Sequence, residues 1–578
     1  MTSMARRLNR AALAALALVL AGAAAGQAAA PSGAETLITQ ARDDLARGDG
    51  LAAEVRLKQA LDAGAPREVV AARMGEALLD QGQTAKARGW LAPGKFAAAE
   101  AAHGWRMLGL LEMREGHLAA AGDAYNKVIA LTPKDPQLWV SIGQLRYAGG
   151  EHLLALEAAD YALELDPDSV RALEFKGLFV RDQFGLTAAL PWFEAALAQD
   201  PGDLSVMGEY AATLGDLGLA SRMLAVTRAM LERDGGNARA LLLQAQLAAR
   251  AGDMSLAKSL LNKTGDRLKG VPARLLLEGV IELEAGNNLL AIEVFEKLAQ
   301  RQPANAEAQA LLARAYYGAG NYRTVVERFA PLAARSDAGP QILTLVARAH
   351  EALGRRDLAV PLLERAARSA DQPFSAVPEN APIGALLASA RLGEAEARSE
   401  QLRRANPNSA ALQAQAGDVQ LALGNGAAAL ERYRLAARIR MPENLMAKMA
   451  GAMVLAGQGG QAGQLAETYL AQNPSSRRAA RIVAAQAAAK GDWPRARVLL
   501  EYLRANGGER DVRLLSDLSL AQLRAGDAAA AEVSARTAYR LQPANGAAAR
   551  AWGVSLQALG QQPLDAKALL AKAPKLGA

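Results

Sequence analysis

The sequence has no cysteine. That excludes disulfides, thiolate metal sites, a cysteine nucleophile and a lipidated N-terminal cysteine. Aromatic residues make up 4% of a chain that is 51% hydrophobic, so alanine and leucine must supply most of the core. A chain rich in alanine and poor in β-branched residues favours helix. Beyond the N-terminus no stretch approaches roughly 18 charge-free apolar residues, which excludes a second membrane span. Absent too are a phosphate-binding Walker loop, a G-x-S-x-G nucleophile elbow and carboxylates at metal-ligating spacing.

The charge balance is weak. The formal net charge is +7. Arg6, Arg7 and Arg10 supply three of those charges, leaving 7 − 3 = +4 on the rest of the chain. Nucleic-acid binding needs a concentrated basic stripe, so no nucleic-acid partner is expected. Short pairs such as Arg355-Arg356, Arg403-Arg404 and Arg477-Arg478 read as solvated helix ends.

The first thirty residues stand apart. MTSMARRLNR is basic and free of acids, AALAALALVLAGAAAG is apolar and uncharged, and QAAAPSGAE is rich in small residues. That order is the pattern of a secretory signal peptide. Gly26-Gln27-Ala28 satisfies the small-x-small rule, so residues 1–28 are expected to be removed and the mature chain to be periplasmic. The alternative is an uncleaved membrane anchor at residues 11–28, weakly inserting because it is short and alanine-rich.

What the chain does have is a period. Gly48, Gly82, Gly116 and Gly150 are spaced by 34 residues, and the beat resumes at Gly218, Gly252, Gly286, Gly320 and Gly354. At the one missing place, 184, the chain reads Phe184-Gly185. After a break come Gly424, Gly457, Gly491, Gly526 and Gly560. Seven residues before each glycine stands a small residue, as in Gly75, Gly109, Gly279 and Gly417. Five after it stands another, as in Ala121, Ala155, Ala291 and Ala429. Nine after it comes a large residue such as Leu57, Tyr125, Phe295 or Tyr433, and seventeen after it Pro133, Pro167, Pro303, Pro474 or Pro543. The glycine lets one helix end and reverse into the next. The small residues let two axes approach, the large one fills the gap, and the proline ends the second helix. The pattern is two antiparallel helices per repeat.

Trp105, Leu108-Gly109, Gly116, Ala121, Tyr125 and Pro133 in one unit, and Trp139, Ile142-Gly143, Gly150, Ala155, Ala162 and Pro167 in the next, resemble the tetratricopeptide repeat. The resemblance covers nearly the whole chain from about residue 34. It implies an all-α fold: a right-handed α-solenoid of about fifteen antiparallel helix pairs. We expect an N-terminal array at 34–369, a Pro-rich joint at 370–384 and a C-terminal array at 385–578, unless the joint is one long loop in an unbroken array. The unit at 204–237 carries Met223 where alanine is expected, and the unit at 376–409 has a poor first helix.

No catalytic, cofactor or metal site is expected. His103, His117, His152 and His350 include no pair at helical metal spacing, and His117 and His152 read as solvated turn residues. Two G-x-G-x-x-A matches, at Gly424 and Gly457, follow helices and fall on the recurrent turn, so they read as turn glycines. Trp105, Trp139 and Phe193 read as core; Trp90, Tyr147 and Tyr317 have no repeat role and are candidates for exposure.

The resemblance also implies a groove whose wall is made by the first helix of each unit, suited to an extended peptide or a partner helix. The groove-facing candidates are Arg106, Arg114, Gln137, Gln144, Tyr147, Arg171, Glu174, Arg181, Arg314, Tyr317, Arg348 and Glu351. This Arg-leaning mix would suit an acidic peptide. Exported members of the family serve envelope assembly, so the resemblance implies a scaffold for exopolysaccharide, pilus or secretion machinery. Its partners would be other envelope proteins, with membrane association only through a partner or an uncleaved signal segment. The alternative is a protein that binds polysaccharide directly, which exposed Trp or Tyr in a row would favour.

Overall fold

The computed structural model describes residues 33–303, 305–335, 338–367, 382–407, 409–560 and 562–576. Residues 1–28, expected as a signal peptide, and most of the joint at 370–384 lie outside the described residues. A short helix, Pro382–Ala388, begins within the last residues of that joint. The described residues form helices and turns and no strand, and consecutive helices pack as pairs. The chain divides into two compact units, one ending at Gly149 and one beginning at Gly150.

In the first unit, helix Ala101–Arg114 and helix Leu118–Leu131 show how one repeat is made. Gly116 takes φ +82°, a conformation that costs a residue with a Cβ. Its N–H donates to the carbonyl of Met113, and the His117 N–H donates to that of Glu112. These two bonds satisfy carbonyls left open at the helix end, and the chain reverses within three residues. Gly109 then lies against the Tyr125 ring, and Ala121 is fully buried. The second helix ends two residues before Pro133.

The second unit repeats this construction from Gly150 onward. Helices Pro272–Glu284 and Asn288–Arg301 meet at Gly279 and Phe295, with Ala291 and Phe295 both at 0% exposure. Burying a side chain of that size contributes about 1.5–3 kcal/mol. First helices are often capped by a side chain: Asp203 accepts from Ser205 and Val206, Asn237 from Ala240, and Asn305 from Glu307 and Ala308. Such caps contribute about 1 kcal/mol each. Met223 is buried where alanine was expected and lies against Gly215.

First helices of successive pairs touch, as Leu204–Asp216 does Ala238–Arg250, and Pro340–Ala352 does Ala306–Gly318. They therefore lie on the inner side of the local bend.

The second unit also turns back on itself. At the place where the period lacks its glycine, helix Val170–Phe184 ends on Gly185 (φ +110°), and helix Leu186–Gln199 starts at the next residue. This corner docks against a repeat far along the chain. Gln183 Nε2 donates to the Arg438 carbonyl at 2.7 Å, Thr187 Oγ1 to the Ala471 carbonyl at 3.3 Å, and Asp182 pairs with Arg440 at 3.4 Å. A second contact joins helix Arg356–Ala367 to the C-terminal repeats. Ala367 packs with Val512, Leu515, Ala538 and Ala548, and Gln542 Nε2 donates to the Glu364 carbonyl at 3.2 Å. No 34-residue pattern announces either contact.

Candidate functional site

The inner wall is a ladder of charge between repeats. In the first unit, Arg106 Nη1 donates to Gln137 Oε1 at 2.8 Å and to Asp135 at 3.2 Å, at the start of the next first helix. Arg114 Nη1 donates to the Leu79 carbonyl near the end of the preceding first helix, which also accepts the Gly82 N–H. Gln144 is exposed and Tyr147 is half-buried.

In the second unit, Arg171 bridges Glu174 (2.6 Å) and Asp203 (2.7 Å), and Glu174 also accepts from Ser205 Oγ at 2.6 Å. Arg181 reaches Glu209 at 3.0 Å and Thr213 at 3.2 Å; Arg239 approaches the same Glu209 at 2.6 Å from the next repeat. Arg314 pairs with Glu284 at 3.0 Å, and Arg348 with Glu351 at 2.5 Å. Tyr317 leans on Tyr322 with ring centroids 5.1 Å apart.

Most of the arginines expected to face a ligand therefore hold one repeat to the next. Asp135, Asp203, Glu209 and Glu284 lie about one repeat away from Arg106, Arg171, Arg181 and Arg314, whereas Glu174 and Glu351 meet Arg171 and Arg348 at helical spacing. Sequence reasoning missed Arg250. It donates to the Gly215 carbonyl at 2.9 Å, as Arg114 does to Leu79, and each stands two residues before its turn glycine. That shared register was a readable signal.

The aromatics are largely accounted for by packing. Trp105 meets Phe96 edge-on at 5.4 Å with Lys127 over its face, and Trp139 Nε1 donates to the Pro133 carbonyl. Trp90, a candidate for exposure, is half-buried beneath the Arg67 guanidinium at 3.8 Å. Tyr147 and Tyr317 are likewise half-buried. None of the six tryptophans is exposed.

Glycine, small residue, large residue and proline thus occupy the turn, the helix contact and the helix end that the period predicts. Models of the tetratricopeptide repeat match residues 74–136, 140–203 and 282–349. These three segments are tetratricopeptide repeats. No curated protein matches the chain. Among solved structures, the array is similar to the Cut9–Hcn1 hetero-tetramer of APC/C, at 11% identity over 95% of this chain and 94% of that one, TM-score 0.39. It is also similar to a human IFIT1 dimer with m7Gppp-AAAA, at 18% identity over 69% of this chain and 95% of that one, TM-score 0.39. A third is PilW, a type IV pilus biogenesis factor, at 21% identity over 37% of this chain and 99% of that one, TM-score 0.31.

Within the tetratricopeptide array, the histidines are placed by packing and acids. His103 Nε2 lies 2.8 Å from Glu76, whose carboxyl burial pushes up but His103 and Arg73 bring below its usual value. His117 is largely exposed and meets Glu112 at 2.9 Å; His152, read as a solvated turn residue, is half-buried at the first position of helix His152–Leu165. His350 is 7% exposed inside helix Pro340–Ala352. Glu112, Glu115 and His117 come within 4.8 Å of one another, near enough to share a cation. Arg88 already occupies them, at 2.8 Å from Glu112 and 2.5 Å from Glu115, and its hydrogen bonds hold the Glu112 carboxyl below its usual value. A metal would have to displace that guanidinium.

Proposed function

We propose that the chain is a periplasmic scaffold, exported by residues 1–28, that assembles cell-envelope machinery. Tetratricopeptide repeats imply a protein-interaction scaffold, a fold that is typically non-catalytic. The observation that carries the reading is the wall of first helices. In the second unit inter-repeat pairs such as Arg171–Asp203 and Arg181–Glu209 brace it, and in the first unit it presents side chains such as Gln144 to solvent. A pre-organised surface of this kind binds an extended segment at lower entropic cost.

The partner would be a peptide or helical segment of an exopolysaccharide, pilus or secretion component. Direct polysaccharide binding is the less favoured reading, because the half-buried tryptophans form no exposed aromatic row. Among the described residues no helix is long and apolar enough to cross a membrane, so any attachment would come through a partner or the N-terminal segment.

Two experiments test the reading. Residues 1–35 fused to alkaline phosphatase should yield enzyme that is active only on the far side of the inner membrane. Photocrosslinkers at Gln144 and Tyr317 in the tagged chain should then capture envelope proteins from native cells. Cytosolic partners alone would overturn the localisation, and retention of glycan without protein would favour the polysaccharide reading.

A further inference from the structure

Where the C-terminal repeats meet helix Pro340–Ala352 and the end of helix Arg356–Ala367, a cavity of about 220 Å³ opens. Leu503 and Leu514 line part of it, and four arginines, Arg477, Arg478, Arg481 and Arg510, surround the remainder with Glu443 and Asp511. Four guanidiniums and two carboxylates line the cavity; Asp517 also pairs with Arg481 at 3.4 Å, and Glu351 and Glu509 lie near Arg510 beside Arg348.

Both carboxylates are already engaged. Glu443 accepts from Ser476 Oγ at 2.6 Å and from the Arg478 N–H at 3.0 Å. Asp511 caps the Leu514 N–H at 2.9 Å and stands 3.5 Å from Arg481. Arg477 and Arg478 are exposed and have no carboxylate partner among the described residues. They stand in the first turn of helix Arg477–Ala489, where the helix dipole disfavours a cation.

Arg510 lies deeper. Its Nε is buried without a hydrogen-bond partner, an arrangement that costs free energy unless something accepts that proton. Burial, and then the charge of Arg348, hold its pKa below the ordinary arginine value. The turn 504–508 leaves room beside the cavity. Gly507 takes φ +95°, and a Cβ there would come within 3.5 Å of the Arg477 guanidinium. Arginine forks match the oxygens of phosphate and carboxylate alike. Arg477, Arg478 and Arg510 have no carboxylate in contact among the described residues, and the three oxygens of a phosphate group can meet several such forks at once where a carboxylate offers two.

We propose that this cavity binds a dianionic phosphate group, carried by a soluble phosphate ester or by a lipid headgroup. First helices line this cavity too, but the proposal rests on its arginines and not on a peptide ligand, so failure of the scaffold reading leaves it standing.

The test is calorimetric titration of the full chain with inorganic phosphate at about pH 8, where phosphate is largely dianionic. Ionic strength is held constant with chloride, and acetate serves as the monoanion control. Phosphate should bind and acetate should not. Arg478→Gln, at the exposed mouth, and Arg510→Gln, at the base, should each weaken phosphate binding about tenfold or more, while Arg404→Gln on a distant exposed face leaves it unchanged. Flotation with vesicles containing phosphatidic acid, competed by free phosphate, would identify a lipid source. Phosphate binding without flotation would identify a soluble ester. Equal response to phosphate and acetate, or wild-type binding in both Arg478→Gln and Arg510→Gln, overturns the proposal.

Discussion

A Cβ placed on Gly279 would lie 2.3 Å from Cε1 of Phe295. The phenyl ring occupies the space that the missing side chain leaves, and the same fit recurs between Gly417 and Tyr433 at 2.4 Å. Gly279→Ala should therefore push Phe295 out of its seat and lower stability by about 1–3 kcal/mol in chemical denaturation. Phe295→Leu should relieve part of that clash. A double mutant as destabilised as the sum of the two single changes would refute the fit.

Glu209 receives Arg181 and Arg239 from two different helices. These pairs are partly exposed, so each is worth no more than about 1 kcal/mol. Glu209→Gln should destabilise by about that amount. Double-mutant cycles with Arg181→Gln and Arg239→Gln should show favourable coupling for each pair. Coupling of zero in both would mean the ladder is decorative.

The corner at Gly185 should govern how the second unit closes on itself. Gln183→Met removes the amide that donates to the Arg438 carbonyl. Hydrogen exchange should then speed up across residues 426–473 and stay unchanged in the pair 272–301, which the corner does not touch. Uniform acceleration over the whole unit would point to global destabilisation instead.

His350 should give the array a pH dependence. Burial first, then Arg355, holds its pKa below the ordinary histidine value, with Asp357 opposing. The unfolded chain thus binds a proton that the folded chain resists. Stability from this group is fully present above about pH 6.5 and is lost as pH falls through the folded pKa. Thermal denaturation of His350→Gln should show a shallower fall over that window. An unchanged slope would assign the acid sensitivity elsewhere.

The repeat unit was legible because its determinants are local. A turn needs a glycine with positive φ, a close helix contact needs Gly109 or Ala121, and a helix end needs Pro133; all stand within one 34-residue period. The same locality made the wall positions countable and allowed Arg114 and Arg171 to be placed on it. Their partners were not legible, because Asp203 and the Leu79 carbonyl belong to neighbouring repeats and only packing brings them into reach. Closure of the second unit lay further still from the sequence. Gln183 meets Arg438 across 255 positions and Thr187 meets Ala471 across 284. Small rotations accumulated over many helix pairs decide such a meeting, and no single residue encodes it. Phe184-Gly185 was visible as an interruption of the beat. Only the tertiary structure showed that the corner it forms receives another repeat, and that Arg477, Arg478, Arg481 and Arg510 gather around one cavity.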